Sequence, residues 1–412
     1  MGRPRSLLQT FCKLKKQDSL FASSSSDERK YWGFLLFQRM LHSAPEPLLP
    51  ALFSQNLMRC LMNQLASPER YLNRIAETAT KAIFKRAQTE PSTVVTIIKG
   101  LLQPPQGRIN FDQSTRTKTV EKVLSLVNES DLAQLLSIFR RLILSPGAID
   151  EKATAAARQI LADHLVLVVR SKQTGANEDD LGTLRHLAGS SSILAMFAEF
   201  AYFTSEGGAR LSEHKPNPPI SSASRDMFRS RISSCLTHLI NKSADPSRFT
   251  YTLVKDIRRL EENDYHYKSI LDAERNVEHS IRRAWKILEK IKSKEKEAQP
   301  DKKQVLRAFK LLYSLTIIQV YNGDADAVNV LDELKDCYDS LVKHRRKGEQ
   351  GGSEVLVEIL LSFVAKSSMM FRRLAQQVLS ACASDVNRLG LQAMIKVGIC
   401  SWHTCLADCY RF

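Results

Sequence analysis

Apolar residues recur with the period of an α-helix along almost the whole chain, from Tyr31 to Lys396. They form blocks of roughly 12–20 residues, separated by breakers such as "SAPEP" (43–47) and "QPPQG" (103–107). The blocks cover residues 31–42, 48–66, 70–88, 91–103, 117–128, 131–144, 150–170, 181–203, 222–241, 248–262, 268–294, 302–321, 324–343, 353–365, 368–383 and 385–396. Strand-like alternation is nearly absent, so the pattern predicts a succession of helices joined by short turns.

Paired blocks return about every 40 residues, which is the rhythm of HEAT and armadillo repeats. The fold class predicted is therefore all-α, an α-solenoid of HEAT/armadillo-like helical repeats. No motif repeats letter for letter, so an irregular helical bundle is the alternative. Polar stretches rich in Gly, Pro, Ser or charged residues predict flexible loops near 171–182, 204–224 and 343–353.

The same breaks divide the chain into predicted regions. A basic, Ser-rich segment (1–30) precedes a first helical repeat region (31–203), a linker loop (204–224) and a second helical repeat region (225–343). A basic, Gly-rich linker (344–353) leads to a terminal helical repeat (354–396) and a Cys-rich tail (397–412).

Composition adds an electrostatic expectation. The 412 residues contain 60 Lys and Arg against 44 Asp and Glu, a formal charge of +16. This excess favours polyanionic partners, either nucleic acid or an acidic membrane surface. No apolar run reaches the ~18 residues of a membrane span, so no membrane partner is predicted. No Gly-rich phosphate loop is present, and we expect neither a cofactor nor a small-molecule substrate.

The cysteines outside the tail predict reduced thiols. Each stands alone at an apolar helical position, which is typical of buried free cysteines and not of a disulfide framework. They are Cys12, Cys60, Cys235, Cys337 and Cys382.

The segment "YNGDADAVNV" (321–330) resembles the "YGDTDS" metal-binding signature of replicative DNA polymerases. Such a site needs carboxylates that converge on two cations. Both flanks have helical periodicity, however, and helical residues i and i+2 diverge by about 200°. Asn322 and Gly323 are therefore predicted to end one helix in a left-handed conformation. Asp324 or Asp326 is predicted to cap the next helix or lie in its first turn, with a metal site as the alternative.

The segment "SIRRAWKILEKIKSK" (280–294) predicts an amphipathic helix anchored through Trp285. Its polar face carries the candidate phosphate-binding residues Arg282, Arg283, Lys286, Lys290 and Lys294. The run "KHRRK" (343–347) adds a second candidate cluster, which is Lys343, Arg345, Arg346 and Lys347. Such surfaces bind phosphates with little base information. A solvated lysine-rich face is the alternative.

The tail "GICSWHTCLADCYRF" (398–412) holds Cys400, His403, Cys405 and Cys409, residue types that bind zinc. Structural zinc sites normally use two ligand pairs separated by a loop, whereas these four are crowded together. We therefore expect no metal site here. Because the composition changes abruptly after Lys396, we interpret the tail as an end that is not homologous to related chains, with a zinc site as the alternative.

Several longer segments together resemble one protein family. They are "ERKYWGFLLFQRML" (28–41), "NLMRCLMNQLASPERYLNRIAETATKAI" (56–83), "TRTKTVEKVL" (115–124), "LLYSLTIIQVYNGDADAVNVLDELKDCY" (311–338) and "SEVLVEILLSFVAKSSMMFRRLAQQV" (353–378). They are similar to the DNA polymerase phi / Myb-binding protein 1A family, called DNA polymerase V in fungi, over about residues 6–396. The resemblance implies a nucleolar helical-repeat protein that associates with ribosomal DNA and supports ribosomal RNA synthesis. Family chains are much longer, so this chain is expected to correspond to the family's middle portion.

We therefore expect a non-enzymatic scaffold of the nucleus and nucleolus. It would contact DNA (ribosomal DNA) or pre-ribosomal RNA through phosphates, bind nucleolar or transcription proteins, and support ribosomal RNA transcription and ribosome biogenesis. One alternative is the DNA-directed DNA polymerase that the family name implies. The other is a protein-only scaffold that regulates transcription.

Overall fold

The computed structural model describes residues 18–148, 150–171, 181–205, 215–243, 245–263, 267–271, 274–343, 352–365, 369–383, 388, 392 and 395. These residues are helical apart from turns and one short strand pair. The chain divides into two compact units. Unit 1 comprises Met1–Gln173 and Ala209–Met227, and unit 2 comprises Thr174–Gly208 and Phe228–Phe412.

Unit 1 is built from consecutive short helices. They are α1 (Asp27–Ser43), α2 (Leu49–Leu52), α3 (Gln55–Leu65), α4 (Asn73–Thr89), α5 (Val94–Leu102), α6 (Phe111–Thr115), α7 (Thr119–Leu124), α8 (Leu132–Leu144) and α9 (Glu151–Ser171). Short 3-10 turns at Glu46–Leu48, Pro91–Thr93 and Glu129–Asp131 precede α2, α5 and α8.

The pairing of α1 with α4 shows how a unit 1 helix is ended. Arg86 of α4 donates hydrogen bonds to the carbonyl oxygens of His42 (2.8 Å) and Ala44 (2.9 Å) at the end of α1. The last carbonyls of a helix lack partners within the helix, so a cation placed there satisfies them. Phe34 and Phe37 on the inner face of α1 are completely buried.

Unit 2 contains longer helices around one central helix. Its elements are α10 (Leu181–Tyr202), β1 (Phe203–Ser205), α11 (Ser222–Lys242, of which residues to Met227 belong to unit 1), α12 (Ser247–Asn263), β2 (Tyr267–Ser269), α13 (Arg275–Glu297), α14 (Pro300–Tyr321), α15 (Asp326–Tyr338), a π-helical turn (Asp339–Lys343), α16 (Gly352–Ala365) and α17 (Met369–Cys382). Helix α14 packs against α12, α13, α15 and α17, and every residue from Ala308 to Tyr321 is buried. It is therefore the core helix of this unit.

The predicted all-α class is confirmed for the described residues, and most helix bounds lie within a few residues of the predicted blocks. Three predictions were wrong in detail. Block 48–66 is interrupted at Phe53 and Ser54, helix α6 lies in a stretch predicted to be non-helical, and block 268–294 becomes helical only at Arg275. Before that helix, β2 pairs antiparallel with β1, with Phe203 opposite Ser269 and Ser205 opposite Tyr267.

The predicted loop 204–224 is described at residues 204–205 and from residue 215 onward, and its last part makes hydrogen bonds within unit 1. The Asn217 N–H donates to Leu144 O (2.7 Å), and the buried Arg158 donates to Pro219 O (3.0 Å) and to Pro218 O. These bonds anchor the end of the loop within unit 1, and helix α11 begins at Ser222. Helices α10 and α16 likewise begin inside the other two predicted loops, at Leu181 and Gly352.

Cys60, Cys235, Cys337 and Cys382 are buried free thiols, which confirms the prediction for these four. Cys12 and the tail residues Cys400, His403, Cys405 and Cys409 lie outside the described residues.

Candidate nucleic-acid interface

Helix α13 presents a basic face because its apolar face is fixed against unit 2. Ile281, Ala284, Trp285, Leu288 and Ile291 are all buried. Such a stripe of helical period is what holds an amphipathic helix on a core. The opposite side chains therefore point to solvent in a defined row.

Trp285 is the main anchor of α13. Its ring makes an edge contact with Tyr251 of α12, with centroids 6.4 Å apart. The guanidinium of Arg258 lies 4.8 Å from the Trp285 ring centroid and also pairs with Glu289 of α13 (3.1 Å). A cation over an indole face is favourable, so α12 holds α13 through both packing and charge.

The five cations predicted on α13 have different environments. Arg282 is exposed and pairs with Glu278 at 3.0 Å. Arg283 is half-exposed and pairs with Asp332 of α15 at 2.7 Å, so its charge is partly used within unit 2. Lys294 is exposed, with its Nζ 5.9 Å from the ring centroid of Tyr338.

Lys286 and Lys290 differ from the two arginines. Both are exposed, and neither forms an ion pair with any residue that the structure describes. They lie one turn apart on the same face, about 6 Å along the helix axis. This pair contributes uncompensated positive charge to the outer surface of α13, together with the exposed Lys294.

The second predicted basic cluster is largely outside the described residues. Lys343 ends the π-helical turn, and only its backbone is described. Arg345, Arg346 and Lys347 lie beyond the described range that ends at that lysine.

The Asp-x-Asp segment lies at a joint between two helices. Helix α14 ends at Tyr321, and Gly323 follows with φ +87°, a conformation that glycine adopts without strain. Asn322 remains right-handed (φ −77°), and its Oδ1 accepts a hydrogen bond from Tyr202 Oη at 2.8 Å. The turn therefore needs a left-handed residue only at the glycine.

The two aspartates occupy different positions in this joint. The Asp324 N–H donates to Gln319 O (3.1 Å), and Asp324 O accepts from the Ala327 N–H (3.2 Å). Asp326 is the first residue of α15, where a carboxylate complements the helix dipole. Within the described ranges, no group of three or more His, Cys, Asp or Glu residues has an arrangement that could hold a metal ion.

Sequence reasoning missed a second basic region, in unit 1. Lys30 of α1, Arg59 of α3 and Arg108 of the loop before α6 line one cavity of about 570 Å³. These residues are far apart in the sequence and stand in no shared motif, so only the packing of the helices brings them together.

Among the described helices, none is long and apolar enough to cross a bilayer.

The described elements thus define a protein that is helical apart from one short strand pair, with a buried core helix and a basic outer helix. A sequence profile of the DNA polymerase phi family matches residues 4–397, and the chain belongs to this family. The family prediction is therefore confirmed.

Named relatives come from fungi and fish. The chain is 28% identical over 398 residues to the rDNA transcriptional regulator pol5 of Schizosaccharomyces pombe, covering 92% of this chain and 40% of the relative. It is 27% identical to the rDNA transcriptional regulator POL5 of Saccharomyces cerevisiae, covering 94% of this chain and 35% of the relative. A Myb-binding protein 1A-like protein of Danio rerio is 22% identical over 165 residues, 39% of this chain and 13% of the relative. The chain thus spans well under half the length of these relatives, and no solved structure matches it.

Proposed function

We propose that this chain is a non-enzymatic helical-repeat scaffold, of the HEAT or armadillo type, that acts in the nucleus and nucleolus. It contacts ribosomal DNA or pre-ribosomal RNA through phosphates and supports ribosomal RNA transcription and ribosome biogenesis with nucleolar or transcription proteins. The observation that carries the proposal is the pair Lys286 and Lys290, exposed and without ion-pair partners among the described residues. The names of the two fungal relatives support the link to ribosomal DNA transcription.

The geometry favours phosphate contacts over base reading. A lysine ammonium is a point charge on a flexible stem, so it binds phosphate oxygens without selecting a base edge. Release of counterions from the nucleic acid then supplies most of the binding free energy. We therefore expect binding that is strongly salt-dependent and weakly sequence-dependent.

The test is fluorescence anisotropy of a labelled ribosomal DNA duplex, repeated over a salt series. The variant Lys286→Glu/Lys290→Glu should weaken binding and reduce the slope of log K against log salt by roughly 1 to 2, because each lysine neutralises about one phosphate. The matched control is Lys81→Glu/Lys85→Glu on α4. Those lysines have the same spacing, are exposed, and have no ion-pair partner among the described residues. The same titration with an RNA duplex of the same sequence shows whether the chain binds DNA or RNA more tightly.

Equal loss in both variants would contradict the α13 interface, because it would mean that only total charge matters. Absence of binding by the wild-type chain even at low salt would favour the protein-only scaffold.

The family is named after a DNA polymerase, so the rival function to test is DNA-directed DNA polymerase activity. Primer extension should show no incorporation above background, and Asp324→Asn/Asp326→Asn should leave the result unchanged. Our reason is that Asp326 belongs to helix α15 while Asp324 precedes it, an arrangement that suits a helix joint. Incorporation that this double variant abolishes would establish the rival.

A further inference from the structure

The cavity in unit 1 opens between the turn before α1, helices α1 and α3, and the region of α6. Its volume of about 570 Å³ lies in the range of small-ligand sites. It is formed entirely by unit 1 residues, whereas helix α13 belongs to unit 2.

Three cations line this cavity, and none of its described lining residues is acidic. Lys30 makes only a long contact, 3.5 Å, with Asp27 outside the lining. Arg59 donates one hydrogen bond, to Asn56 Oδ1 (3.0 Å), which leaves most of its donors available. The Arg108 side chain has no hydrogen bond or ion pair with any described residue. The cavity is therefore an electropositive space with unused guanidinium donors.

The rest of the lining is suited to a polar organic group. Gln64 Oε1 is buried without a hydrogen-bond partner among the described residues, and such an acceptor is costly unless a donor reaches it. Ser23 and Ser114 add hydroxyl groups, and Met62 and Phe21 add apolar surface. A sugar-like group with hydroxyl donors would use Gln64, while an anionic group would use the arginines.

Cys60 also lines the cavity, and its thiol lies close enough to Lys30 and Arg59 for their charges to affect its pKa. Burial raises the pKa of its thiol to about 11, while the charges of Lys30 and Arg59 oppose that rise. The thiol is therefore neutral at pH 7, and it contributes apolar surface with no negative charge to compete for the cations.

We propose that this cavity binds a phosphate monoester carried on a small polar group such as a ribose, with Arg59 and Arg108 on the phosphate and Gln64 on a hydroxyl. A monoester carries close to two negative charges at pH 7, whereas a nucleic-acid backbone diester carries one, so three cations favour the monoester. Two sources share this chemistry, a free sugar phosphate and the 5′-phosphorylated end of a nucleic-acid strand. The proposal is independent of DNA binding by α13.

Isothermal titration calorimetry of the full chain tests the proposal with ribose 5-phosphate and with ribose. Ribose 5-phosphate should bind at least roughly tenfold more tightly than ribose, because charge-assisted bonds to the phosphate carry most of the affinity. Arg59→Gln/Arg108→Gln should lose a similar factor. Ser23→Trp should also lose binding, because an indole at this lining position takes up space in the cavity without changing charge.

The matched control is Arg39→Gln/Arg74→Gln. These arginines are exposed in unit 1, lie outside the described cavity lining, and form no ion pair with described residues. This control should bind within about twofold of wild type, as expected for distant surface charges. Circular dichroism of each variant establishes that it is folded.

A short strand with a 5′-phosphate, compared with the same strand ending in a 5′-hydroxyl, identifies the source. Tighter binding of the 5′-phosphorylated strand than of the 5′-hydroxyl strand, with the difference lost in Arg59→Gln/Arg108→Gln, assigns the cavity to strand ends, whereas equal binding of the two strands assigns it to free sugar phosphates. The proposal is overturned if ribose binds as well as ribose 5-phosphate, if Ser23→Trp binds like wild type, if the control loses as much as Arg59→Gln/Arg108→Gln, or if no probe binds at millimolar concentration.

Discussion

Lys310 is completely buried in the middle of α14, and its ammonium is held by Glu295 of α13, with Nζ 2.5 Å from Oε2. Arg307 contacts both Glu295 Oε1 (3.1 Å) and the buried Asp245 Oδ2 (3.2 Å). Burial acts to raise the pKa of Glu295, but hydrogen bonds from Lys310 and Arg307 outweigh it and lower the pKa below 4.5. Each charge in this cluster is therefore tolerated only because its partners are present.

Lys310→Met should therefore be strongly destabilising. The substitution removes a cation that compensates the negative charges of Glu295 and Asp245. Removing one partner of a buried ion pair lowers the free energy of unfolding by roughly 3–5 kcal/mol. Lys310→Met/Glu295→Gln should lose less, because it removes both charges. Thermal unfolding followed by circular dichroism checks this order, with Lys302→Met, an exposed change on the same helix, as control. A double variant less stable than the single one would contradict the argument.

At the scale of elements, the contact of α5 with the end of α2 depends on a glycine, which has no side chain. A Cβ at Gly100 of α5 would lie 2.5 Å from Cγ of Phe53, and that ring is buried and packs edge-on against Phe37. Alanine is favoured over glycine in a helix by about 1 kcal/mol. We nevertheless expect the steric clash with Phe53 to outweigh this gain in helix propensity, because a buried ring has no free space to move into.

Gly100→Ala is therefore expected to lower the melting temperature of the chain despite its better helix propensity. Phe53→Leu should reduce the clash, so the combination with Gly100→Ala should be more stable than the sum of the single changes predicts. Additive losses in this double-mutant cycle would show that the two residues are not coupled.

Helices were predictable from sequence where one apolar stripe repeats without interruption, as in α13 around Trp285. The strand pair was not predictable, because Ser205 and Tyr267 are far apart in the sequence and their pairing leaves no local pattern. The basic cavity was missed for the same reason: Arg59 and Arg108 are brought together by packing and not by spacing. Local periodicity thus determines elements, whereas sites that depend on tertiary contacts leave no local pattern.

At the scale of the whole molecule, the chain passes between its two units three times, at residues 173/174, 208/209 and 227/228. Arg158 holds the returning segment in unit 1, because its Nε donates to Ile143 O (3.1 Å) and its other nitrogens donate to Pro218 O and Pro219 O. Burial lowers the pKa of Arg158. The guanidinium remains charged at neutral pH because arginine titrates far above that range.

Arg158→Leu should therefore destabilise unit 1 selectively. It leaves three carbonyl oxygens without their charged donor, and each such hydrogen bond contributes about 1.5–3 kcal/mol. Differential scanning calorimetry should show the transition of unit 1 at lower temperature and that of unit 2 unchanged, whereas Lys310→Met should have the opposite effect. Each variant is thus the other's control. If either substitution lowers both transitions equally, the two units unfold as one cooperative body, and the division of the chain has no energetic counterpart.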